Sequence, residues 1–171
     1  MKIPYSTLAI MLNAHNGQKD KGGEAYALHP IRVAYRLMLT GKQAAIRAAL
    51  LHDVIEDTQV TEAELQRLGE PAAVVNIVLW VSRPKERPRA TYLEWISDIA
   101  LKAPLGARLV KLADIYDNLS PSRMAALSES EQDGMTRRYE RALEMLLPCI
   151  PEHLAQLVLQ GDVTPCLGWE A

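Results

Sequence analysis

The segment Leu50-Leu51-His52-Asp53-Val54-Ile55-Glu56-Asp57-Thr58 decides how the rest of this chain must be arranged. It follows a run rich in alanine, residues 44–49, and alanine enters a helix at little cost in side-chain entropy. A helix this apolar is expected in a protein core, yet it ends in one imidazole and three carboxylates. Buried charges are costly unless they are paired or bind a metal, so the segment predicts a cation site. Exposed acids at the end of a capped helix are the alternative.

The spacing within this segment predicts how its polar side chains are presented. His52 and Glu56 lie four residues apart, as do Asp53 and Asp57, so each pair would share one face of a helix. Neighbouring residues differ by about 100° around the helix axis, which still allows His52 and Asp53 to reach a common ion. We therefore predict one central helix, from about residue 42 to residue 55, that carries the cluster.

The composition is that of an ordinary globular domain. The chain has 171 residues, of which 49% are hydrophobic and 23% charged, and its formal net charge is −2. It lacks the basic excess that is typical of nucleic-acid-binding surfaces. It shows no signal-peptide pattern and no apolar run of the roughly 18 residues that span a membrane, and Cys149 and Cys166 have no CxxC spacing. We expect a cytoplasmic protein with reduced cysteines and with no membrane or nucleic-acid partner; the oligomeric state stays open.

Helix-start and helix-stop residues recur along the whole chain. Thr61 with Glu64, and Ser128 with Glu131, have the spacing of capping boxes. Phenylalanine is absent and aromatic residues make up only 5% of the chain, which favours helices over strands. We predict an all-α, single-domain helical bundle over residues 1–171, with a core at about 4–160 and a loose C-terminal tail. The predicted helices begin near Pro4, His29, Lys42, Thr61, Pro71, Thr91, Pro104, Ser128 and Glu152.

One connection between these helices is strongly basic. Residues 83–89 read Arg-Pro-Lys-Glu-Arg-Pro-Arg, and the two prolines exclude a regular helix there. A solvated loop is one interpretation of this stretch. A mobile lid that attracts phosphate is the other, because loops often carry binding residues.

Three separate segments supply side chains that bind metals. His29 stands at a predicted helix start, His52 and Asp53 follow the buried helix, and Asp114 lies inside a predicted helix after the apolar Leu109-Val110. An aspartate within Val110-Lys111-Leu112-Ala113-Asp114 is expected to be partly buried and therefore to need a partner. Two imidazoles and two carboxylates leave positions open on an octahedral ion, which suits Mn²⁺ or Fe²⁺ better than closed tetrahedral zinc.

The order His, His-Asp, Asp resembles the ligand pattern of the HD-domain phosphohydrolases. Further motifs resemble the hydrolase domain of the RelA/SpoT family, and the chain length is similar to that of its small stand-alone alarmone hydrolases. These motifs are His15-Asn16-Gly17-Gln18, Lys21-Gly22-Gly23-Glu24, Tyr26, His29-Pro30, the segment 48–58 around His52-Asp53, and Lys111-Leu112-Ala113-Asp114 with Asn118.

This resemblance implies a mechanism and a set of site residues. One Mn²⁺, or another divalent transition metal, would be bound by His29, His52, Asp53 and Asp114. The catalytic residues Glu56 and Asp57 would orient and activate water, Lys21 would bind substrate phosphate, and Asn118 would contact the nucleotide or orient a ligand. The implied reaction removes pyrophosphate from the 3′ position of the small nucleotide ppGpp or pppGpp, leaving GDP or GTP.

The chain also departs from the family pattern at three positions. Asp20 stands where the family usually has an arginine beside Lys21, and Ile115 and Asp117 replace the usual arginine and histidine. We therefore expect the metal chemistry to be retained and the substrate-reading surface to be altered, with Asp20 either repelling phosphate, pairing with a neighbouring lysine or remaining in water. An HD phosphohydrolase for another phosphorylated nucleotide and a non-catalytic nucleotide-binding module remain as alternatives. Tyr26 is interpreted as a packing residue, and His15 as a brace for its loop or a packing residue near the site.

Overall fold

The structure is a computed structural model that describes residues 5–83 and 91–161. Most of the basic loop at 83–89, Cys166 and the predicted C-terminal tail lie outside the described residues. Within the described part the regular secondary structure is helical, with one isolated bridge between Lys19 and Ala25 and no strand, which confirms the predicted all-α class. The α-helices are α1 (Tyr5–Ala14), α2 (Leu28–Arg36), α3 (Gln43–Leu51), α4 (Val54–Asp57), α5 (Glu62–Arg67), α6 (Ala72–Val81), α7 (Tyr92–Lys102), α8 (Leu105–Asn118), α9 (Pro121–Met124), α10 (Glu129–Leu146) and α11 (Glu152–Gln160).

Several helix ends follow the signals in the sequence. Ser128 and Glu131 form the predicted capping box at the start of α10. The side chain of Thr61 accepts a hydrogen bond from the backbone N–H of Glu64 at the start of α5. Gly69, just after α5, has a φ of 85°, a left-handed conformation that glycine adopts without a steric penalty.

The prediction of one continuous central helix is wrong. The helix ends at Leu51, His52 and Asp53 form a turn, and the short helix α4 begins at Val54. Asp53 has φ −101° and ψ −6°, away from regular helical values. The break aims His52 and Asp53 at the same point, and it means that the pairs predicted at four-residue spacing do not share one uninterrupted helix.

Helix α3 is the centre of the bundle. Six of its nine residues are buried, and it packs against α1, α2, α6 and α8. Helix α8 approaches α6 closely because Gly106 has no side chain: a Cβ atom there would lie 2.6 Å from Cδ1 of Ile77. Burial of this kind, in side chains of Ala, Leu, Ile and Val, supplies most of the stability of a helical bundle.

The packing of α2, α3 and α8 brings the polar segments to one end of the bundle. The first turn of α2 carries His29, the α3–α4 turn carries His52 and Asp53, and the last turns of α8 carry Asp114 and Asp117. Among the described helices, none combines the length and apolar character needed to cross a lipid bilayer.

Candidate metal centre and active site

The four predicted metal ligands converge. Oδ2 of Asp53 lies 2.9 Å from Nε2 of His52 and 3.6 Å from Nε2 of His29. Oδ1 of Asp114 lies 3.3 Å from Nε2 of His29 and 3.7 Å from Nε2 of His52. Ligand atoms of His29, His52 and Asp53 fall within 4.8 Å of one another, and Asp114 closes the group from α8.

A hydrogen bond at Nδ1 orients each of the two imidazoles. Nδ1–H of His52 donates to the carbonyl oxygen of Ala49 at 2.8 Å, and Nδ1 of His29 lies 2.7 Å from Oδ2 of Asp117. Each Nε2 therefore faces the carboxylates. Nε2 of His52 is buried and makes no hydrogen bond of acceptable geometry. Two nitrogen and two oxygen donors that crowd one buried point, one of them without a partner, fit a divalent metal ion.

His52 and the neighbouring carboxylates lie close together, and their opposite charges shift one another's pKa. Burial opposes ionisation of His52, but the carboxylates of Asp53 and Asp114 outweigh it and raise the pKa of His52 well above its usual value. Burial also opposes ionisation of Asp53, and the two imidazoles outweigh it and lower the pKa of that carboxyl. The buried carboxylates thus favour positive charge at this point, which a bound metal ion would supply.

Tyr26 is a site residue that the sequence analysis missed. Its hydroxyl donates to Oδ2 of Asp53 at 2.5 Å and lies 3.4 Å from Oδ2 of Asp57. Burial and the neighbouring Asp53 raise the pKa of Tyr26, so the phenol keeps its proton as a hydrogen-bond donor. The interpretation of Tyr26 as a packing residue is wrong in this respect. Its neighbours Ala25 and Ala27 are apolar, and the sequence signal for a site role was its place among the motifs that resemble the RelA/SpoT hydrolase domain.

Asp114 is held by two residues of its own helix. Nδ2 of Asn118 donates to Oδ1 of Asp114 at 2.6 Å, and Nζ of Lys111 donates to Oδ2 at 2.7 Å. The Lys111 ammonium also lies 4.5 Å from the centre of the Trp95 ring. Although burial opposes it, the Lys111 charge helps to hold the pKa of Asp114 well below its usual range. Asn118 thus has the geometry of a ligand-orienting residue, and Lys111 is a second contact that the sequence analysis had not assigned.

The predicted catalytic acids lie on α4, directly after the His52-Asp53 turn. Oε2 of Glu56 accepts a hydrogen bond from the backbone N–H of Arg83 at 2.9 Å. Burial raises the pKa of both Glu56 and Asp57. Glu56 borders an open cleft of about 440 Å³ and Asp57 borders one of about 830 Å³. Neither acid belongs to the group of converging metal-binding atoms.

Asp20 lies in the loop after α1, and its contacts differ from those predicted. Oδ1 of Asp20 accepts hydrogen bonds from the backbone N–H groups of Gly22 and Glu24, at 2.9 and 3.0 Å, and only 11% of the Asp20 side chain is exposed. Its Oδ2 lies 4.0 Å from Nη1 of Arg123. The expectation that Asp20 pairs with an adjacent lysine or remains in water is therefore wrong: the carboxylate organises the loop.

Lys21 lies apart from the His–Asp group. Its side chain is 68% exposed, and Nζ pairs with Oε1 of Glu131, in the first turn of α10, at 2.8 Å. His15, in contrast, is buried; its Nδ1 hydrogen-bonds Oε1 of Gln18 at 2.8 Å, and its ring packs 4.9 Å from the Tyr26 ring. His15 therefore braces the loop as predicted.

The departures on α8 do not form a substrate-reading surface. Ile115 is fully buried in the hydrophobic core. Asp117 is also buried and contacts His29 and Arg32. Both side chains point into the protein, so neither contacts substrate from the surface, and the effect of losing the family's arginine and histidine on substrate recognition stays a prediction.

Comparison with known proteins adds an independent line of support. The HD-domain family matches residues 7–140 of the chain. The chain is 33% identical, over 172 residues, to the guanosine-3′,5′-bis(diphosphate) 3′-pyrophosphohydrolase MESH1 of Danio rerio, and the match covers 94% of this chain and 95% of that protein. It is 35% identical to the guanosine-3′,5′-bis(diphosphate) 3′-pyrophosphohydrolase of Haemophilus influenzae, covering 81% of this chain and 21% of the relative.

The relatives differ in length. The match spans only 18% of a probable 3′-pyrophosphohydrolase of Mycoplasma pneumoniae, whereas it spans almost the whole of the zebrafish protein. A solved structure of a metazoan orthologue of SpoT that hydrolyses ppGpp superimposes with a TM-score of 0.79 at 22% identity, covering 98% of this chain and 99% of that one. That likeness establishes the fold. The chain therefore belongs to the HD-domain family of hydrolases and groups with relatives named guanosine-3′,5′-bis(diphosphate) 3′-pyrophosphohydrolases.

Proposed function

We propose that this protein is a metal-dependent hydrolase that removes pyrophosphate from the 3′ position of ppGpp and pppGpp, leaving GDP or GTP. The observation that carries the proposal is the convergence of His29, His52, Asp53 and Asp114, with the acids Glu56 and Asp57 on the helix that follows directly. The similarity to MESH1 over nearly the full length of both chains supports the choice of substrate.

The proposed metal ligands are His29 and His52 through Nε2 and Asp53 and Asp114 through one carboxylate oxygen each. This mixed nitrogen and oxygen set suits Mn²⁺ or another divalent transition metal. When bound, such an ion lowers the pKa of a coordinated water and offsets charge on phosphoryl oxygens.

The protein's own residues then have separate tasks. Tyr26 and Asn118 hold Asp53 and Asp114 in orientation through their hydrogen bonds. Glu56 and Asp57 accept the proton of the attacking water, and their raised pKa values make them better proton acceptors than ordinary carboxylates. The water oxygen forms the new bond to phosphorus as the bond to the 3′ oxygen breaks, and the proton taken from the water passes on to the leaving 3′ oxygen.

A second candidate function is hydrolysis of a nucleotide with fewer phosphates, and the ion pair between Lys21 and Glu131 favours it. This pair gives the proposed phosphate-binding lysine an anionic partner, so a highly charged substrate must displace Glu131 before it reaches Lys21. A non-catalytic module is disfavoured by Glu56 and Asp57, because a protein that only binds nucleotide has no need for two proton acceptors beside the metal group.

One incubation separates these candidates. Purified protein with Mn²⁺ is given ppGpp, pppGpp and nucleotides that carry a single 3′- or 2′-phosphate, and products are identified by chromatography. We expect GDP or GTP with pyrophosphate to form fastest. Faster release of monophosphate from the less charged nucleotides would transfer the assignment to the second candidate, and no turnover of any substrate would contradict both.

A further inference from the structure

Asp117 is a buried carboxylate that contacts His29 on the side of the ring facing away from Asp53 and Asp114. Only 1% of its side chain is exposed. It stands three residues after Asp114 on α8, and its Oδ2 lies 2.7 Å from Nδ1 of His29, a residue 88 positions earlier in the chain. A buried carboxylate is costly, so the contact calls for an explanation beyond packing.

A second residue clamps the same carboxylate. Arg32 stands one helical turn after His29 on α2, its Nε lies 2.8 Å from Oδ1 of Asp117, and its Nη2 lies 3.2 Å from Oδ2. Nη1 of Arg123 lies a further 3.9 Å from Oδ2. The two-pronged contact with Arg32 compensates the buried charge and fixes the plane of the carboxylate.

The contact decides which nitrogen of His29 bears hydrogen. An ionised carboxylate can only accept hydrogen bonds, so Nδ1 of His29 must be the donor and Nε2 faces Asp53 and Asp114 with its lone pair. His52 reaches the same tautomer through a neutral acceptor, the Ala49 carbonyl. The two imidazoles are thus held alike, but only His29 has a charged partner at Nδ1.

We propose that Asp117 is a positioning residue that fixes the tautomer and orientation of His29 and strengthens its Nε2 as a metal donor, with Arg32 holding Asp117 in place. The inference rests on the proposed metal site. Carboxylates that accept from a metal-binding imidazole raise its basicity, and their removal typically weakens metal binding about 10–100-fold. Asp117 contacts Nδ1 of His29, whereas Nε2 of the same ring faces Asp53 and Asp114, so its effect is exerted through His29.

A purely structural ion pair is the competing explanation, and the chain contains a matched control. Glu70 is equally buried, pairs with Nη2 of Arg47 at 2.9 Å and accepts from Oγ1 of Thr7 at 2.6 Å, in a cluster that contains no metal-binding group. Glu70→Gln therefore disturbs a buried arginine–carboxylate pair without touching a histidine.

The test measures Mn²⁺ affinity without substrate, by the electron paramagnetic resonance signal of free Mn²⁺. We expect Asp117→Asn to weaken binding about 10–100-fold, Arg32→Lys to weaken it by a few-fold, and Glu70→Gln to leave it within twofold of wild type. Thermal unfolding in EDTA reports whether each variant is folded. Equal Mn²⁺ affinities for Asp117→Asn and wild type would overturn the inference while leaving the proposed function intact; absence of Mn²⁺ binding by wild type would overturn both.

A spectroscopic measurement on the wild-type chain does not depend on any variant at position 117. In metal-free protein labelled with ¹⁵N-histidine, at a pH where His29 is neutral, long-range ¹H–¹⁵N spectra identify the protonated nitrogen, and His29→Gln assigns the signal among the four histidines. Protonation of Nδ1 is expected. Protonation of Nε2 would exclude the role assigned to Asp117.

Discussion

The hydroxyl of Tyr26 donates a 2.5 Å hydrogen bond to Oδ2 of Asp53, the same oxygen that lies 2.9 Å from Nε2 of His52. Because Tyr26 precedes α2 and Asp53 follows α3, this bond connects the loop after α1 with the proposed metal ligands. One oxygen of Asp53 is thereby fixed in direction before any ion binds, which lowers the ordering cost of binding.

Removal of this hydroxyl is expected to weaken the metal site. Tyr26→Phe should reduce Mn²⁺ affinity about tenfold, since it removes one hydrogen bond to a proposed ligand and leaves the ring in place. Isothermal titration calorimetry with Mn²⁺ measures the change. Tyr35→Phe, on the exposed side of α2, is the control, and an equal loss in both variants would contradict the role of Tyr26.

The acids of α4 should be separable from the metal ligands. Glu56→Gln and Asp57→Asn are expected to retain Mn²⁺ and to lose about 10²–10⁴ in turnover, the usual contribution of a positioned acid–base group. The exposed Glu62→Gln serves as the control. Rate and bound metal are measured on the same samples; a lower rate that merely follows lost metal would remove the catalytic assignment.

Asp114 should be indispensable for metal-dependent stabilisation. Mn²⁺ at about 100 times its dissociation constant should stabilise the wild type by about 2.7 kcal/mol. For a chain of this size that corresponds to a rise of roughly 5–10 °C in Tm. Asp114→Ala should show no rise by calorimetry, whereas Asp133→Ala, on the exposed side of α10, should respond like wild type. A normal Mn²⁺ response in Asp114→Ala would refute its role as a ligand.

Metal affinity should increase with pH. The carboxylates of Asp53 and Asp114 outweigh the effect of burial and raise the pKa of His52, so below that pKa a proton occupies the nitrogen that the metal needs. Affinity should therefore rise by up to about tenfold per pH unit for each proton displaced, and level off above the pKa of His52. Titrations in buffers of different ionisation enthalpy count the protons released; a count of zero across this range would show that His52 is not displaced.

The ion pair between Lys21 and Glu131 should compete with substrate. Glu131→Gln frees the exposed Lys21 ammonium, so we expect KM for ppGpp to fall at low ionic strength and to approach the wild-type value at high salt, where exposed charges are screened. Glu129→Gln, two residues away and also exposed, is the matched control. An unchanged KM at low salt would indicate that Lys21 does not bind the phosphates.

Asp20 shows how a position that differs from its family can be misjudged from sequence. The charge alone suggests repulsion of phosphate, but the side chain accepts two backbone N–H groups within four residues. Asp20→Arg would therefore disrupt the loop. Asp20→Asn is the better probe, since an amide oxygen can still accept those bonds after the charge is removed.

The sequence by itself determined the helical class, most helix starts and which side chains were proposed as metal ligands. These depend on local chemistry: capping residues, apolar periodicity and residue types that bind metals. Helices α6 and α11 begin where predicted, directly after Pro71 and at Glu152, and the Ser128–Glu131 capping box is present.

The tertiary structure alone decided which partners hold those side chains. Tyr26 meets Asp53 across 27 residues, Asp117 meets His29 across 88, and Lys21 meets Glu131 across 110. None of these pairs has a local signature, because a hydrogen bond between distant residues depends on how helices pack, and packing is set by the whole buried core. The central helix ends before His52 for the same reason: the packing and hydrogen bonding of the buried His–Asp group outweigh the local preference for helix.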